Sequence, residues 1–301
     1  MNILMTGADG YIGQHFLKCF ENLHNDRLIL MTLKDINGYD NIDYSGFRFN
    51  SSSFDALAID HIDVLLLMGA YVEHGKNIPH VVRNHLSSIT SIDYLLNNIP
   101  IKPRKVVYCS TIAVYGIDSS LPYKSSGGVL LNEEAKTDPI RTYAMSKAFG
   151  ERLVTEWCKE NSVECQIVRI GSVYDCETDI NSFMGYMLKA YRNKECFKMI
   201  APPEQLWNYV YIDDICRWII NALYLSETPG VINLTADRNY TSMELVELLK
   251  IYDNSFCYEI PDKINYCGVD KGFDSRKRKQ YLGDELFPIN DIFKRIIAKI
   301  H

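Results

Sequence analysis

No stretch of this 301-residue chain approaches the roughly 18 consecutive apolar residues that a bilayer-crossing helix needs, so a membrane-spanning or helix-anchored protein is not expected. Metal-ligand spacing is missing too. The nine cysteines (Cys19, Cys109, Cys158, Cys165, Cys176, Cys196, Cys216, Cys257 and Cys267) include no Cys-x-x-Cys pair, and the seven histidines form neither His-Glu-x-x-His nor a Cys/His cluster, so no metal is expected. An odd, scattered set of cysteines predicts a reducing, cytoplasmic setting without disulfides. Positive charge is not in excess: 32 Lys plus Arg stand against 38 Asp plus Glu, and the net charge of -6 repels nucleic acid and anionic membranes alike. A small phosphorylated ligand is still allowed, because it needs only a local site. Internal repeats and low-complexity tracts are absent, and a strand-like run at 2–6 leaves no room for a leader ahead of it, so the mature chain is expected to begin at Met1.

What the chain does have is alternation. With 47% hydrophobic and 23% charged residues it carries enough apolar material for a sizeable core. Short apolar runs at 3–6, 28–33, 64–68, 105–109 and 166–170 read as strands separated by amphipathic stretches, the pattern of an α/β doubly wound parallel sheet. Leu86, Ile89, Ile92 and Leu96 recur at helical spacing and predict one apolar face. A second helix is predicted over 143–160, with Ala144, Gly150, Val154 and Trp157 toward the sheet. The stretch 124–128, rich in Ser and Gly, reads as a surface loop. Beyond 172 the alternation loosens into helical patterns at 181–193, 212–225, 241–252 and 290–299. This divides the chain into a first domain over 1–172, rejoined by about 212–235, and a smaller C-terminal lobe over 173–301. In such a sheet ligands bind beyond the carboxyl ends of the strands, so a cleft is expected there.

Gly7-Ala-Asp-Gly10-Tyr11-Ile12-Gly13 follows the first strand and leads into a helical stretch. Glycines at these offsets permit a tight turn, close approach of backbone to a pyrophosphate, and close packing of helix on strand, which together predict dinucleotide binding. Tyr143 and Lys147 stand four apart on one predicted helix, so their side chains share a face. Chance alone supplies about one Tyr-x-x-x-Lys pair in such a chain, so the pair means little without its context. That context is Val106-Val-Tyr-Cys-Ser110-Thr111-Ile-Ala-Val-Tyr115-Gly116, which sets Ser110 and Thr111 at the carboxyl end of a strand.

Taken together these segments resemble the extended short-chain dehydrogenase/reductase family, which holds nucleotide-sugar epimerases, dehydratases and ketoreductases. The resemblance runs along nearly the whole chain. It includes the Gly7 to Gly13 loop, the Ser110-Thr111 segment, Tyr143-Ala-Met-Ser-Lys147, Arg169-Ile-Gly-Ser-Val-Tyr174, Tyr209-Val-Tyr-Ile-Asp-Asp-Ile215, and Asp274-Ser-Arg-Lys near Tyr281-Leu-Gly283. It implies a Rossmann-type domain with a C-terminal substrate-binding lobe. It also implies that Tyr143 is the general acid/base, that Thr111 hydrogen-bonds the reacting oxygen, and that Lys147 holds the nicotinamide ribose. Because an ammonium favours the ionised form of a phenol, Lys147 is expected to draw the Tyr143 pKa down. Ser110 is the alternative hydroxyl and a substrate contact. Cofactor contacts implied by the resemblance are Gly7, Gly10, Tyr11, Ile12, Gly13, Thr32, Lys34, Asn50, Met68, Gly69, Ala70 and Ile170, besides Tyr143 and Lys147.

Cofactor choice turns on the end of the second strand, where a carboxylate binds a bare adenosine ribose. Met31 and Thr32 are not acidic and Lys34 offers a cation to a 2′-phosphate, which favours NADP(H); Asp35 keeps NAD(H) open. The substrate side departs from the family pattern at two places. Trp207-Asn208 stands where an Arg-Asp pair is usual, and Ser172 replaces an asparagine. Trp207 either stacks on a base or packs in the core, and cations for a diphosphate are left to Lys189, Arg192, Arg238, Lys263 or Lys271. The leading expectation is an NADPH-dependent ketoreductase acting on a 4-keto deoxysugar nucleotide. Alternatives are a nucleotide-sugar epimerase with tightly bound NAD and a non-catalytic dinucleotide-sensing regulator. A dehydratase is disfavoured, because Ile112 and Ala113 stand where that subgroup has an acidic pair. The helices near 84–98 and 146–159 are expected to form a homodimer contact.

Overall fold

A computed structural model describes residues 1–23, 26–70, 78–116, 129–176, 182–266 and 270–300. The predicted loop at 124–128 and Cys267 lie outside them. In chain order the elements are β1 (Asn2–Thr6), α1 (Tyr11–Leu23), β2 (Arg27–Thr32), β3 (Asp40–Asp43), α2 (Ser52–Ala56), β4 (Ile62–Leu67), α3 (Ile78–Asn98), β5 (Pro103–Thr111), β6 (Leu130–Leu131), α4 (Thr142–Asn161), β7 (Glu164–Ile170) and β8 (Ser172–Tyr174). They continue with α5 (Phe183–Arg192), β9 (Phe197–Lys198), β10 (Leu206–Trp207), β11 (Tyr209–Tyr211), α6 (Ile212–Leu223), β12 (Val231–Leu234), β13 (Tyr240–Thr241), α7 (Ser242–Tyr252), β14 (Tyr258–Glu259), β15 (Gly272–Phe273), α8 (Arg276–Leu282) and α9 (Ile289–Ile300). Among the described residues no helix is long and apolar enough to cross a membrane.

Seven strands form the main parallel sheet in the order β12-β7-β5-β4-β1-β2-β3. The winding reverses between β1 and β4, the point where doubly wound sheets bind nucleotides. Ile3, Leu4 and Met5 of β1 and Leu65 and Leu66 of β4 are fully buried, which is why these runs are continuously apolar instead of alternating. Sequence periodicity missed β3. Of Asp40, Asn41, Ile42 and Asp43 only Ile42 is buried, and an edge strand paired to β2 alone tolerates such polarity. The predicted second strand stops one residue early, at Thr32, and Leu33 is exposed.

By internal packing the chain divides into two units. One comprises residues 1–115, 137–169 and 216–232, the other 116–136, 170–215 and 233–301. In the first, the predicted sheet-facing residues Ala144, Gly150, Val154 and Trp157 of α4 are all buried. A β-carbon on Gly150 would collide with the Tyr108 hydroxyl, so this helix lies as close to β5 as glycine permits. The predicted face of α3 needs a correction. Ile92 and Leu96 are buried, but Leu86 is exposed, because the buried row runs through Val81 and His85. Lys105, itself buried, donates to the Leu223 and Leu225 carbonyls at 3.0 and 2.7 Å and so caps the end of α6 with a cation.

The second unit has its own core, drawn from Phe183, Met184 and Leu188 of α5, Leu245 of α7 and Phe293 of α9. Sequence determines two helix starts here: the Ser182 hydroxyl accepts from the Gly185 N–H at 3.1 Å, and Thr241 and Glu244 form a reciprocal capping box. The buried carboxylate of Asp214 accepts from the Leu286 and Phe287 amides at 3.0 and 2.8 Å. The expectation of unpaired cysteines is overturned in this unit. Parallel pairing of β14 with β9 brings together Cys196 and Cys257, 61 residues apart, and they form a disulfide. Cys19, Cys109, Cys158, Cys165, Cys176 and Cys216 form no disulfide.

Candidate functional site

At the reversal point of the sheet, β1 delivers Gly7 with a φ of +80°, a conformation that favours glycine. The turn closes through Gly10 N–H to the Gly7 carbonyl at 3.2 Å, and α1 begins with Gln14 N–H to the Gly10 carbonyl at 2.9 Å. A β-carbon on Gly13 would collide with the Gly7 carbonyl, and one on Gly7 would lie 2.5 Å from the Gly69 nitrogen. The Gly69 N–H in turn donates to the Thr6 hydroxyl at 3.2 Å, which ties the end of β4, with Met68, Gly69 and Ala70, to the end of β1. Tyr11 is exposed and Ile12 half-buried in the first turn of α1. The result is a tight backbone turn at a helix N-terminus, a geometry that favours anions.

Thr32 is buried at the carboxyl end of β2, and its hydroxyl has no hydrogen-bond partner among the described residues. An orphaned polar atom at the place where a ribose is bound fits a dinucleotide. Lys34, two residues on, is exposed. The Asn50 side chain accepts from the Ser52 amide at 3.1 Å at the start of α2. Asp43, the register partner of Thr32 at the end of β3, is exposed, and its carboxylate accepts from the Ser45 amide at 2.8 Å; Ser45 holds it below the usual carboxylate range.

Thr111 ends β5, and Tyr143 and Lys147 occupy the first two turns of α4. The Thr111 hydroxyl, which accepts from the Ala113 N–H at 3.2 Å, stands near enough to the Tyr143 phenol to pull its pKa down, so the structure brings two of the three expected catalytic residues together. The expected effect of Lys147 on the phenol is not seen. Lys147 is 4% exposed and its Nζ donates to the Cys109 carbonyl at 2.6 Å, while burial pushes the Tyr143 pKa up to about 12 against the opposing pull of the Thr111 hydroxyl. Burial likewise pulls Lys147 down to about 8, opposed by the Cys109 and Glu151 side chains.

Ser110 lies in a side-chain network. Its hydroxyl is buried and donates to Glu151 at 2.5 Å. Glu151 is bidentate to Arg169, at 2.9 and 2.7 Å, and Arg169 donates to the Tyr115 hydroxyl at 2.7 Å. A closed network of this kind braces β5 against α4 and β7, and leaves Ser110 no free hydroxyl proton for a substrate. In the second unit Ser172 starts β8 opposite Tyr209 of β11, and Ile170 ends β7. Trp207 is held by packing: it stacks on Phe183 and Tyr209 at 5.3 and 5.6 Å between centroids, and its indole N–H donates to the Ser242 hydroxyl at 2.8 Å. Of the proposed cations, Arg238 pairs with Glu244 and lies over the Tyr240 ring, and Arg192 donates to the Cys176 carbonyl. No group of three or more metal-ligating side chains occurs among the described residues.

A model of the NAD dependent epimerase/dehydratase family matches residues 3–235. The chain belongs to that family. Among its relatives is a dTDP-D-glucose 4,6-dehydratase of Dictyostelium discoideum, 25% identical over 268 residues, which cover 81% of this chain but only 60% of that protein's length. Another is a putative UDP-glucose 4-epimerase of Methanocaldococcus jannaschii, 24% identical over 82% of this chain and 81% of the relative. The fold matches that of a UDP-glucuronic acid 4-epimerase from Bacillus cereus, solved with UDP-glucuronic acid and NAD, with a TM-score of 0.78, 19% identity and full coverage of both chains. Sequence reasoning gave no part to Glu151 or Asp43, which lie beside the expected residues Ser110 and Thr32. Arg169 was read only as part of its motif, its partner Glu151 lies 18 positions away across a tertiary contact, and Asp43 ends a strand that periodicity does not reveal.

Proposed function

We propose that this family member is an NADPH-dependent oxidoreductase that reduces a 4-keto deoxysugar nucleotide, with Tyr143, Thr111 and Lys147 as its catalytic residues. The observation that carries this reading is the end of β2, where Thr32 offers an unpaired hydroxyl and no carboxylate, and an exposed Lys34 follows. A carboxylate at that position would repel a 2′-phosphate; a cation attracts one. When bound, the nicotinamide supplies hydride for the sugar carbonyl carbon. Tyr143 gives its phenolic proton to the carbonyl oxygen, and Thr111 donates a hydrogen bond to the same oxygen as its charge grows. A phenol held protonated by burial suits a proton donor, which is the role reduction requires. Lys147 bonds the nicotinamide ribose and returns the Tyr143 proton after each turnover. The first unit binds the dinucleotide and the second the nucleotide sugar, and the protein acts as a homodimer.

An epimerase with tightly held NAD is the second reading, and Asp43 favours it. Asp43 pairs with Thr32 across β3 and β2, and the carboxylate oxygen not bonded to the Ser45 amide could serve an unphosphorylated adenosine. Mass spectrometry of cofactor and product separates the two, after incubation with UDP-, dTDP- and CDP-linked sugars and their 4-keto forms. Net reduction with release of NADP+ supports the first reading, and a Lys34→Ala variant should then bind NADPH about tenfold to a hundredfold more weakly while NADH binding hardly changes. Co-purification with stoichiometric NAD, or equal affinity for NADH and NADPH, overturns it in favour of epimerisation. Absence of any turnover with dinucleotide bound would leave the sensing role.

A further inference from the structure

His85 occupies a position on α3 where helical spacing asks for an apolar side chain. Together with Val81, Ile92 and Leu96 it forms the buried row of that helix, and it is only 1% exposed. Its imidazole lies against Tyr143, with ring centroids 5.9 Å apart and planes inclined at 53°. No step of the proposed chemistry uses this histidine, yet it touches the residue on which that chemistry turns.

Tyr143 is the second residue of α4. A side chain there has no preceding helical turn to lean on, so other elements must fix its ring. On the oxygen side the Thr111 hydroxyl does this, and on the ring side the contact comes from α3. We propose that His85 is a positioning residue for Tyr143, its buried ring forming the wall that turns the phenol toward Thr111 and keeps water from its face. This inference rests on the reading of Tyr143 as the proton donor. Alignment of a donor is worth much in rate, since a displacement of about 1 Å can cost a hundredfold.

The wall can be tested without knowing the substrate, because burial is the largest cause of the high Tyr143 pKa. With 3,5-difluorotyrosine placed at position 143, whose fluorines acidify the phenol, fluorine NMR follows this one ring among the tyrosines of the chain. In the full-length protein loaded with NADPH, His85→Ala should admit water and lower the phenol midpoint by more than about half a pH unit. His85→Phe, which keeps a flat ring in place, should stay within that limit. His85→Val, a milder truncation, carries the same expectation as alanine if the alanine variant does not fold. A midpoint that stays within about half a unit or rises on truncation, or one that falls as far in His85→Phe, overturns the proposal. Turnover retained by Tyr143→Phe would instead overturn the reading of Tyr143 as proton donor, and would leave the titration result standing.

Discussion

Lys147 shows what a buried lysine costs its own fold. A lysine in the unfolded chain titrates at 10.5, whereas burial holds this one at about 8, so between these values the unfolded state binds the proton that the folded state has lost. Stability contributed by this group therefore rises as pH climbs from about 8 to 10.5 and is lowest below that window. A Lys147→Met variant escapes the cost of burying the ammonium, though it loses the bond to the Cys109 carbonyl. Relative to the parent it should be most stable near neutral pH and should lose about 3 kcal/mol of that relative advantage by pH 10.5, as read from urea unfolding at the two pH values. A pH-independent difference would mean that Lys147 titrates normally. Turnover should be lost in the same variant. The placement of Tyr143 and Lys147 on one helix and of Thr111 at a strand end was legible in the sequence, because local geometry sets it. Sequence was uninformative about Ser110, whose partner Glu151 lies 41 residues away across a tertiary contact.

The glycine turn and α1 act as one element. Gly13 lets the helix rest on the Gly7 carbonyl, so a methyl group there must push α1 away from β1. Gly13→Ala should cost about 1 to 3 kcal/mol by overpacking. It should also weaken NADPH at least about tenfold, because the amides of the turn move with the helix. Calorimetric titration checks the second effect, and undiminished affinity would show that the turn does not hold the pyrophosphate. This turn was legible in the sequence because only glycine meets its steric demands. The third strand was not, since Asp40 to Asp43 bury a single side chain and form a strand only because β2 offers an open edge. The site at the end of β2 was thereby read without its neighbour Asp43.

At the scale of the molecule, the first unit followed from the alternation of apolar runs and helices, while the second yielded less. Its strands are two or three residues long, its core depends on aromatic contacts such as Trp207 with Phe183, and its disulfide joins cysteines whose proximity arises from strand pairing alone. None of these has a period to detect. Assembly is a prediction at this same scale. Leu86 on α3 and Met145 and Phe149 on α4 are large apolar residues left 53%, 45% and 66% exposed, on helices that pack on each other in the first unit. A second copy of the same face would cover them. Light scattering at micromolar concentration should give a dimer mass, and Phe149→Glu should give a monomer. A monomeric parent protein would contradict the homodimer.

The account depends most on Tyr143 as the group that moves a proton to the substrate oxygen. Its direct test is a comparison of Tyr143→Phe with the parent enzyme, measuring kcat on the nucleotide sugar that turns over and the Kd for NADPH in both. The phenol contributes little contact area but the only proton in question, so kcat should fall by about 100 to 10,000-fold while Kd stays within about twofold. An unchanged kcat in Tyr143→Phe would contradict the account.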